Sequence, residues 1–407
     1  MIGDVSDDAA LAFQRAKTAF LEGVRLHELG ALDAAERAYL DALAALPGRP
    51  STLLNLALVR LDLGRPDEAL QATQQILRSD PRDADALSAA GRALQALGRP
   101  ADELEVLDRL LALGVPTAAM SYRRGMVLLQ LGRPGDALQD FDATLAIDAG
   151  HADAWSQRGS LLREAGRLDE AAHCFRHALA SGGDAALNRW YLAAVEGSAG
   201  DALPAPPPAY VRALFDDYAD SFDAHLVDTL GYRGHEAVVA ILPPGQRWQR
   251  AVDLGCGTGL CGQLLRPRVS ELHGVDLSPR MVERARARGV YDRLDAADLG
   301  DWLARAEPGY GLATAADVFI YVGDLAPVFA GIARVLAPGG SLAFTAELPR
   351  AGQGAELHPQ LRYAHGEDYL RQCAAAAGLD IAAIERQPLR HEQGQATEAL
   401  VCHFLRR

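Results

Sequence analysis

The sequence predicts two domains: an all-α solenoid of helical repeats, then an α/β Rossmann-like domain with a mostly parallel sheet and helices on both faces. Three observations carry this reading. A Leu-Gly or Ala-Gly pair returns every 34 residues through the first half, a proline-rich stretch interrupts the chain near its middle, and a glycine loop follows a short apolar run beyond it. Size agrees, because 407 residues exceed the roughly 250–300 that one hydrophobic core serves. With 49% apolar and only 6% aromatic residues, the composition favours helices packed through small side chains over an aromatic-rich sandwich.

Leu29-Gly30, Leu63-Gly64, Leu97-Gly98 and Leu131-Gly132, with Ala165-Gly166, mark five units. Their period is that of a helix-turn-helix solenoid. Each Gly falls between two helical patterns, where a left-handed turn suits a residue without Cβ. Helix starts follow: Arg65-Pro66-Asp67-Glu68, Arg99-Pro100-Ala101-Asp102, Arg133-Pro134-Gly135-Asp136 and Arg167-Leu168-Asp169-Glu170 put proline or acid in the first turn. Small residues recur in phase at Gly23, Ala57, Gly91, Gly125 and Gly159, and again at Ala35, Ala69, Ala137 and Ala171; bulky ones recur at Tyr39, Leu107, Phe141 and Phe175. Glu103 breaks the second small row and is expected to loosen packing there. These rows resemble tetratricopeptide repeats over residues 13–182. Such arrays stack into a curved surface with a concave binding side, so the resemblance implies a peptide or protein partner. The rows themselves read as packing, while Asn55, Arg60, Arg92 and Arg124 are candidate groove residues.

Gly197 to Ala209, with Pro204-Ala205-Pro206-Pro207-Pro208, cannot sustain a helix and reads as an extended, semi-rigid spacer. The expected limits are 1–196 for the repeats with a capping helix, 197–209 for the linker and 210–407 for the second domain. Tyr210 to Leu230 regains helical spacing through Leu214, Phe215, Tyr218, Phe222 and Leu226. A shorter helix runs near His235 to Leu242 before Pro243-Pro244-Gly245 breaks it.

Ala251-Val252-Asp253-Leu254-Gly255-Cys256-Gly257-Thr258-Gly259-Leu260 reads as strand, glycine loop and helix start. Its G-x-G-x-G spacing differs from the G-x-G-x-x-G that cradles a dinucleotide pyrophosphate, so a NAD-dependent oxidoreductase fits poorly. Asp253 would repel a diphosphate but suits an ammonium, and S-adenosylmethionine carries an α-amino group as well as a sulfonium. A second strand ends at Gly274-Val275-Asp276-Leu277-Ser278, the sheet edge where open α/β folds bind ligands. There Asp276 can accept hydrogen bonds from both ribose hydroxyls. Asp298 falls where a third strand ends and either bonds the adenine amino group or caps a helix. Asp317 to Val322 reads as a fourth strand, and Val335 to Gly340 as a helix end and turn into a fifth, Ser341 to Glu347. A helix from Glu367 to Ala377 precedes two closing strands, Ile381 to Gln387 and Ala396 to Leu405.

Asp253, the glycine loop, Asp276, Asp298 and Leu336-Ala337-Pro338-Gly339-Gly340 resemble the class I methyltransferase family over residues 210–407. Taken with the repeats, with Asp216-Asp217-Tyr218-Ala219-Asp220-Ser221-Phe222-Asp223-Ala224-His225-Leu226 and with Arg362-Tyr363-Ala364-His365, the chain resembles bacterial tetratricopeptide-repeat methyltransferases. The resemblance implies a seven-stranded, mostly parallel sheet and S-adenosylmethionine as cofactor, held by Asp253, Gly255, Cys256, Gly257, Gly259, Asp276, Leu277, Asp298 and Tyr218. It leaves the acceptor unnamed.

Methyl transfer from a sulfonium is an in-line displacement with a good leaving group, so alignment and desolvation can supply much of the catalysis. A hydroxyl or ammonium acceptor must lose a proton, which His225 or His365 could take; a carboxylate acceptor needs no base. His225 reads equally as a helix-surface histidine. Tyr218 and Phe222 form either a lid over the adenosyl group or a core stripe, and Tyr321 and Asp324 are expected to wall the acceptor pocket. Three functions stay open. The chain methylates a peptide or protein recruited by its repeats, or a small molecule while the repeats mediate assembly, or it is a scaffold with a silent methyltransferase fold. The intact glycine loop and Asp276 speak against the last.

A formal charge of -14 argues against nucleic acid, whose binding needs Lys and Arg to displace counterions. Arg284, Arg286 and Arg288 read as a solvated helix face. Five cysteines lack metal-ligand or secreted-scaffold spacing, so a reduced compartment and no metal are expected. With an acidic start and no bilayer-length apolar run, the expectation is a cytoplasmic protein without a membrane partner.

Overall fold

The computed structural model describes residues 4–114, 116–197, 203–350, 353–392 and 395–407. The chain forms two compact units, Met1–Arg158 and Gly159–Arg407.

Paired helices build the first unit, from Asp4–Glu28 and Leu32–Ala45 through Pro50–Asp62, Pro66–Ser79, Ala84–Ala96, Pro100–Leu113 and Ala118–Gln130 to Pro134–Ile147. At each pair's turn a glycine takes the left-handed conformation the spacing predicts; Gly64 has φ +72. Its N–H donates to Leu61 O at 3.0 Å and the Arg65 N–H to Arg60 O at 2.8 Å, satisfying carbonyls that the helix end leaves open. A Cβ on Gly125 would lie 2.8 Å from the Phe141 ring, which is why that row must stay small.

Glu103 departs from expectation. It is buried yet does not open the array, because Arg123 donates to both its oxygens, Nε to Oε1 at 2.6 Å and Nη2 to Oε2 at 2.8 Å. The candidate groove residues are also engaged. Arg60 donates to Glu36 at 2.9 Å, Arg124 to Asp140 at 2.8 and 2.6 Å and to Asp108 at 2.9 Å, and Asn55 to Ser51 O at 2.8 Å. Arg92 lies 3.8 Å from Asp62.

In the second unit Gly159 packs on Phe175, and helices Leu168–Ala180 and Ala185–Glu196 follow. Of the expected linker, residues 198–202 lie outside the described residues; 203–207 is extended, and a helix begins at Pro208. The strands are β1 (Trp248–Leu254), β2 (Val269–Asp276), β3 (Arg293–Ala296), β4 (Tyr310–Ala315), β5 (Leu336–Glu347), β6 (Ala355–Leu357), β7 (Tyr363–His365), β8 (Leu379–Glu392) and β9 (Gln395–Arg406). Seven form one sheet in the order β3-β2-β1-β4-β5-β9-β8, parallel except where β9 runs against β5 and β8. The chain leaves β1 for β2 and β3 on one side and returns to β4 and β5 on the other, creating a switch point at the carboxyl end of β1 and β4. Both faces are covered, one by a core including Phe329, Phe344 and Phe404 and the other by Val238, Trp248 and Leu272. Each fully buried phenylalanine contributes roughly 2–3 kcal/mol of hydrophobic stabilisation.

Two sequence expectations shift. The fourth strand is Tyr310–Ala315 rather than 317–322, because the small residues of Tyr-Gly-Leu-Ala-Thr-Ala fit between neighbours on both sides. Asp317 instead turns the chain at φ +61, and Phe319–Tyr321 is a 3-10 turn. The single helix expected over 210–230 is broken: Pro208–Tyr218 ends in a turn, with the Ser221 N–H on Tyr218 O at 3.2 Å, before a π-helix, Ala224–Thr229. Among the described residues no helix is long and apolar enough to cross a membrane.

Candidate active site

A cavity of about 690 Å³ opens at the switch point, a size suited to a small-molecule ligand. The loop after β1 forms its floor. Gly255, Gly257 and Gly259 have φ +61, +52 and +97, and a Cβ on Gly255 would sit 2.4 Å from Val318. The Cys256 N–H donates to Val275 O at 2.9 Å, tying the loop to β2. Gly255, Cys256 and Gly257 line the cavity, whereas Gly259 lies outside the lining and starts the helix Leu260–Leu265.

Asp276, at the end of β2, lines the cavity with Leu277. Its Oδ2 accepts from the Gly257 N–H at 2.8 Å and its Oδ1 from the Ser278 N–H at 2.9 Å. Burial pushes its pKa up to about 6 while these N–H groups pull it down. Asp298 also lines the cavity, and its carboxylate caps the helix Leu299–Arg305 by accepting from the Asp301 N–H at 3.1 Å.

Asp253 is buried at the end of β1. It lies outside the cavity lining, turned into the sheet, where the Tyr291 hydroxyl donates to Oδ2 at 2.7 Å and the Thr314 hydroxyl to Oδ1 at 2.8 Å. Parallel pairing of β1 with β4 sets Asp253 beside Thr314, so the carboxylate braces the strand ends. With hydroxyls and no cation as its hydrogen-bond partners, burial lifts its pKa to about 6.

His365 likewise stands outside the cavity lining. It sits on β7, fully buried. Its Nε2 donates to Gly323 O at 3.2 Å, its Nδ1 has no partner, and burial pushes its pKa down to about 4. It supports the loop bearing Gly323 and Asp324, which do line the cavity. His225 and Tyr218 line the cavity and hydrogen-bond to one another through Nδ1 and the hydroxyl. Tyr218 and Phe222 meet edge to face at 5.1 Å between ring centres. Tyr321 lines the cavity against Phe215 at 5.1 Å, and burial raises its phenol well above the usual value.

Several site features escaped sequence reasoning. Two of the arginines read as a solvated face, Arg284 and Arg288, join Arg280 in a latch: Arg280 donates to Asp220 at 2.6 Å, Arg284 pairs with Asp220, Arg288 pairs with Asp223, and Thr258 donates to Asp223 at 2.5 Å. The latch fastens the Tyr218–Phe222 segment over the glycine loop. Acids at 216, 220 and 223 opposite arginines at 280, 284 and 288 were the available signal, visible only once the two segments are known to meet. Leu203, Ala205, Pro206 and Pro208 of the expected spacer wall the cavity. The strap is held by the Tyr363 hydroxyl, which donates to Pro204 O and accepts from Trp190 Nε1 at 2.8 Å. Arg362, Arg390 and Asp317 also line the cavity.

A mostly parallel sheet with this strand order, a positive-φ glycine loop after β1 and a carboxylate at the end of β2 define a class I methyltransferase fold. The backbone cradle at Gly255 and Gly257 and the carboxylate of Asp276 fit a nucleoside cofactor such as S-adenosylmethionine. Residues 252–342 match the methyltransferase domain family, and 54–115, 89–152 and 122–186 match the tetratricopeptide repeat. The chain therefore carries tetratricopeptide repeats and a class I methyltransferase domain. Methyltransferase-like protein 27 of Homo sapiens is 42% identical over 100 residues, covering 23% of this chain and 40% of that protein. Trans-aconitate 2-methyltransferase of Pseudomonas aeruginosa is 39% identical over 97 residues, covering 23% and 34%. Malonyl-(acyl-carrier protein) O-methyltransferase of Salmonella typhimurium is 30% identical over 135 residues, covering 33% and 52%. The chain thus spans between a third and just over half of these relatives' lengths.

Proposed function

We propose that the protein transfers the methyl group of S-adenosylmethionine to an acceptor recruited by its repeats, a peptide or protein, in the cytoplasm. The observation that carries this reading is the cavity at the switch point, lined by Gly255, Gly257, Asp276 and Tyr321. The cofactor supplies the electrophilic methyl group. The protein's own part is to bind the nucleoside at Asp276, orient it on the loop backbone, and exclude water with Tyr218, Phe222 and the proline strap. A hydroxyl or ammonium acceptor would give its proton to His225, the candidate base that lines the cavity. The division of labour we propose is recruitment over 1–196, a linker over 197–209 and catalysis over 210–407, laid over compact units that divide at 158/159. Repeats joined to a catalytic domain raise the effective concentration of acceptor. A small-molecule acceptor is the second reading, favoured by the strap that encloses the cavity.

Isothermal titration with S-adenosylhomocysteine tests the cofactor site. Asp276→Ala should weaken binding at least about ten-fold, the equivalent of about 1.4 kcal/mol. Unchanged affinity, or no binding by the native chain, would sink the reading. Labelling of lysate proteins with methyl-tritiated cofactor tests recruitment. Arg92→Glu should lower protein labelling without altering cofactor affinity, and undiminished labelling would favour the small-molecule reading.

A further inference from the structure

The strap over 203–208 is a cavity wall whose two ends are held by one side chain. Leu203, Ala205, Pro206 and Pro208 line the cavity. Consecutive prolines at 206, 207 and 208 leave the backbone few alternatives, so fixing the ends of the strap fixes the wall. At the first end, Trp190 Nε1 donates to the Tyr363 hydroxyl at 2.8 Å, and that hydroxyl donates to Pro204 O. At the second end, the Trp190 ring meets Tyr210 edge to face at 5.1 Å between ring centres. Tyr210 belongs to the helix Pro208–Tyr218, which brings Val211, Leu214, Phe215 and Tyr218 to the cavity. Trp190 itself is 1% exposed and lies on the helix Ala185–Glu196, which the sequence assigns to the cap of the repeats. Tyr363 reaches a third segment: a Cβ on Gly323 would lie 2.9 Å from its ring and 3.3 Å from Leu203, and Gly323 lines the cavity. Arg163 Nη1 adds a separate tie, donating to Pro359 O at 2.7 Å in the segment that leads into β7.

The chemistry of the three groups makes this a directed relay. An indole N–H only donates, a phenol both accepts and donates, and a carbonyl only accepts. A hydroxyl that accepts one hydrogen bond donates a stronger one, the more so away from water. Burial raises the Tyr363 phenol well above its usual range, so it keeps the proton that Pro204 O receives. Neither Trp190 nor Tyr363 lines the cavity; both reach it through the strap. We infer that Trp190 and Tyr363 are positioning residues of the methyl-transfer site, which hold the strap closed over the cavity and so retain the cofactor and exclude water. The inference rests on the methyltransferase reading and deepens it. A helix assigned to recruitment thereby becomes part of the machinery that closes the site, and methyl transfer depends on the cap helix as well as on the domain beyond the linker.

The test measures how fast S-adenosylhomocysteine leaves the full-length protein, by surface plasmon resonance, and how fast the Ala205, Ala209 and Tyr210 amides exchange with deuterium in the complex. Tyr363→Phe removes the relay while keeping the ring, and Trp190→Phe removes its donor. Each should raise both rates about five-fold or more, the worth of one hydrogen bond, while association stays within about two-fold of native. Because both residues act through one relay, the double variant should match the single variants rather than multiply their effects. Phe141→Leu weakens packing among the repeats and controls for lost stability alone; it should leave both rates as in the native protein. Native rates in Tyr363→Phe, effects that multiply in the double variant, or an equal effect of Phe141→Leu would each overturn the positioning role. Should Trp190→Phe not fold, Tyr363→Phe decides by itself. Failure of the native protein to bind S-adenosylhomocysteine would overturn the methyltransferase reading, whereas native binding with unchanged variants overturns this inference alone.

Discussion

Two buried carboxylates, one in each unit, are treated in opposite ways. Glu103 in the repeat array is 2% exposed and Asp253 beneath the cavity 1% exposed. Glu103 meets a guanidinium through two hydrogen bonds; Asp253 meets two hydroxyls, and burial lifts its pKa to about 6. The array cancels its buried charge locally and keeps only shape. The catalytic unit keeps a carboxylate under tension at the ends of β1 and β4, where the strands must hold the glycine loop and the turn at Asp317 in fixed relation. A buried polar group with incomplete compensation is costly, and such costs gather at functional sites.

The sharpest way to break this comparison is to unpair Glu103. Arg123→Ala leaves an uncompensated buried charge and should cost about 3–5 kcal/mol of stability, whereas Glu103→Ala restores the small row of Ala35, Ala69 and Ala137 and should be near neutral. Urea denaturation of the two variants measures the difference. Equal losses would mean that the pair stabilises the array by attraction rather than by cancelling a burial cost.

A smaller and pH-dependent effect belongs to Asp253. Its folded pKa lies above the ordinary 3.8, so the fold favours the protonated form. The stability this group contributes is full below about pH 4 and is lost as pH rises through about 6. Asp253→Asn removes the ionisation, and the variant should gain on the native protein by on the order of 3 kcal/mol between about pH 4 and pH 8, from a shift of about two pKa units. Denaturation at the two pH values reads that gain; a constant difference would place the pKa near its ordinary value.

The same contrast governs what the sequence made legible. Tetratricopeptide geometry depends on residues a fixed distance apart, so Gly64, Gly125 and Phe141 could be placed by spacing alone. Asp276 and the glycine loop were legible for a related reason, since they lie within a few residues of strand ends that have strong apolar patterns. The setting of Asp253 was not legible, because its partners, Tyr291 and Thr314, are 38 and 61 residues away, and no local rule says which way a strand-end carboxylate turns. The burial of His365 was not legible either, because it follows from β7 pairing with β6, which no local pattern announces. The fourth strand was displaced because Val318, Phe319 and Ile320 have higher strand propensity than Leu312, Ala313 and Thr314, while burial between β1 and β5 selected the smaller run.

The latch at Asp220 should have the smallest effect and the clearest signature. Arg280 and Arg284 both reach this exposed carboxylate, and exposed ion pairs contribute little and are screened by salt. Asp220→Ala should therefore weaken S-adenosylhomocysteine binding by only about two- to five-fold at about 0.02 M salt, with the gap closing near 0.5 M. Asp223 differs, because it also accepts from the Thr258 hydroxyl in the glycine loop. Asp223→Ala should keep a deficit at high salt, since that hydrogen bond fixes loop geometry whatever the ionic strength. If both deficits vanish together, the segment is held over the cavity by charge alone; if neither responds to salt, the Tyr218 and Phe222 rings hold it and the arginine row is incidental.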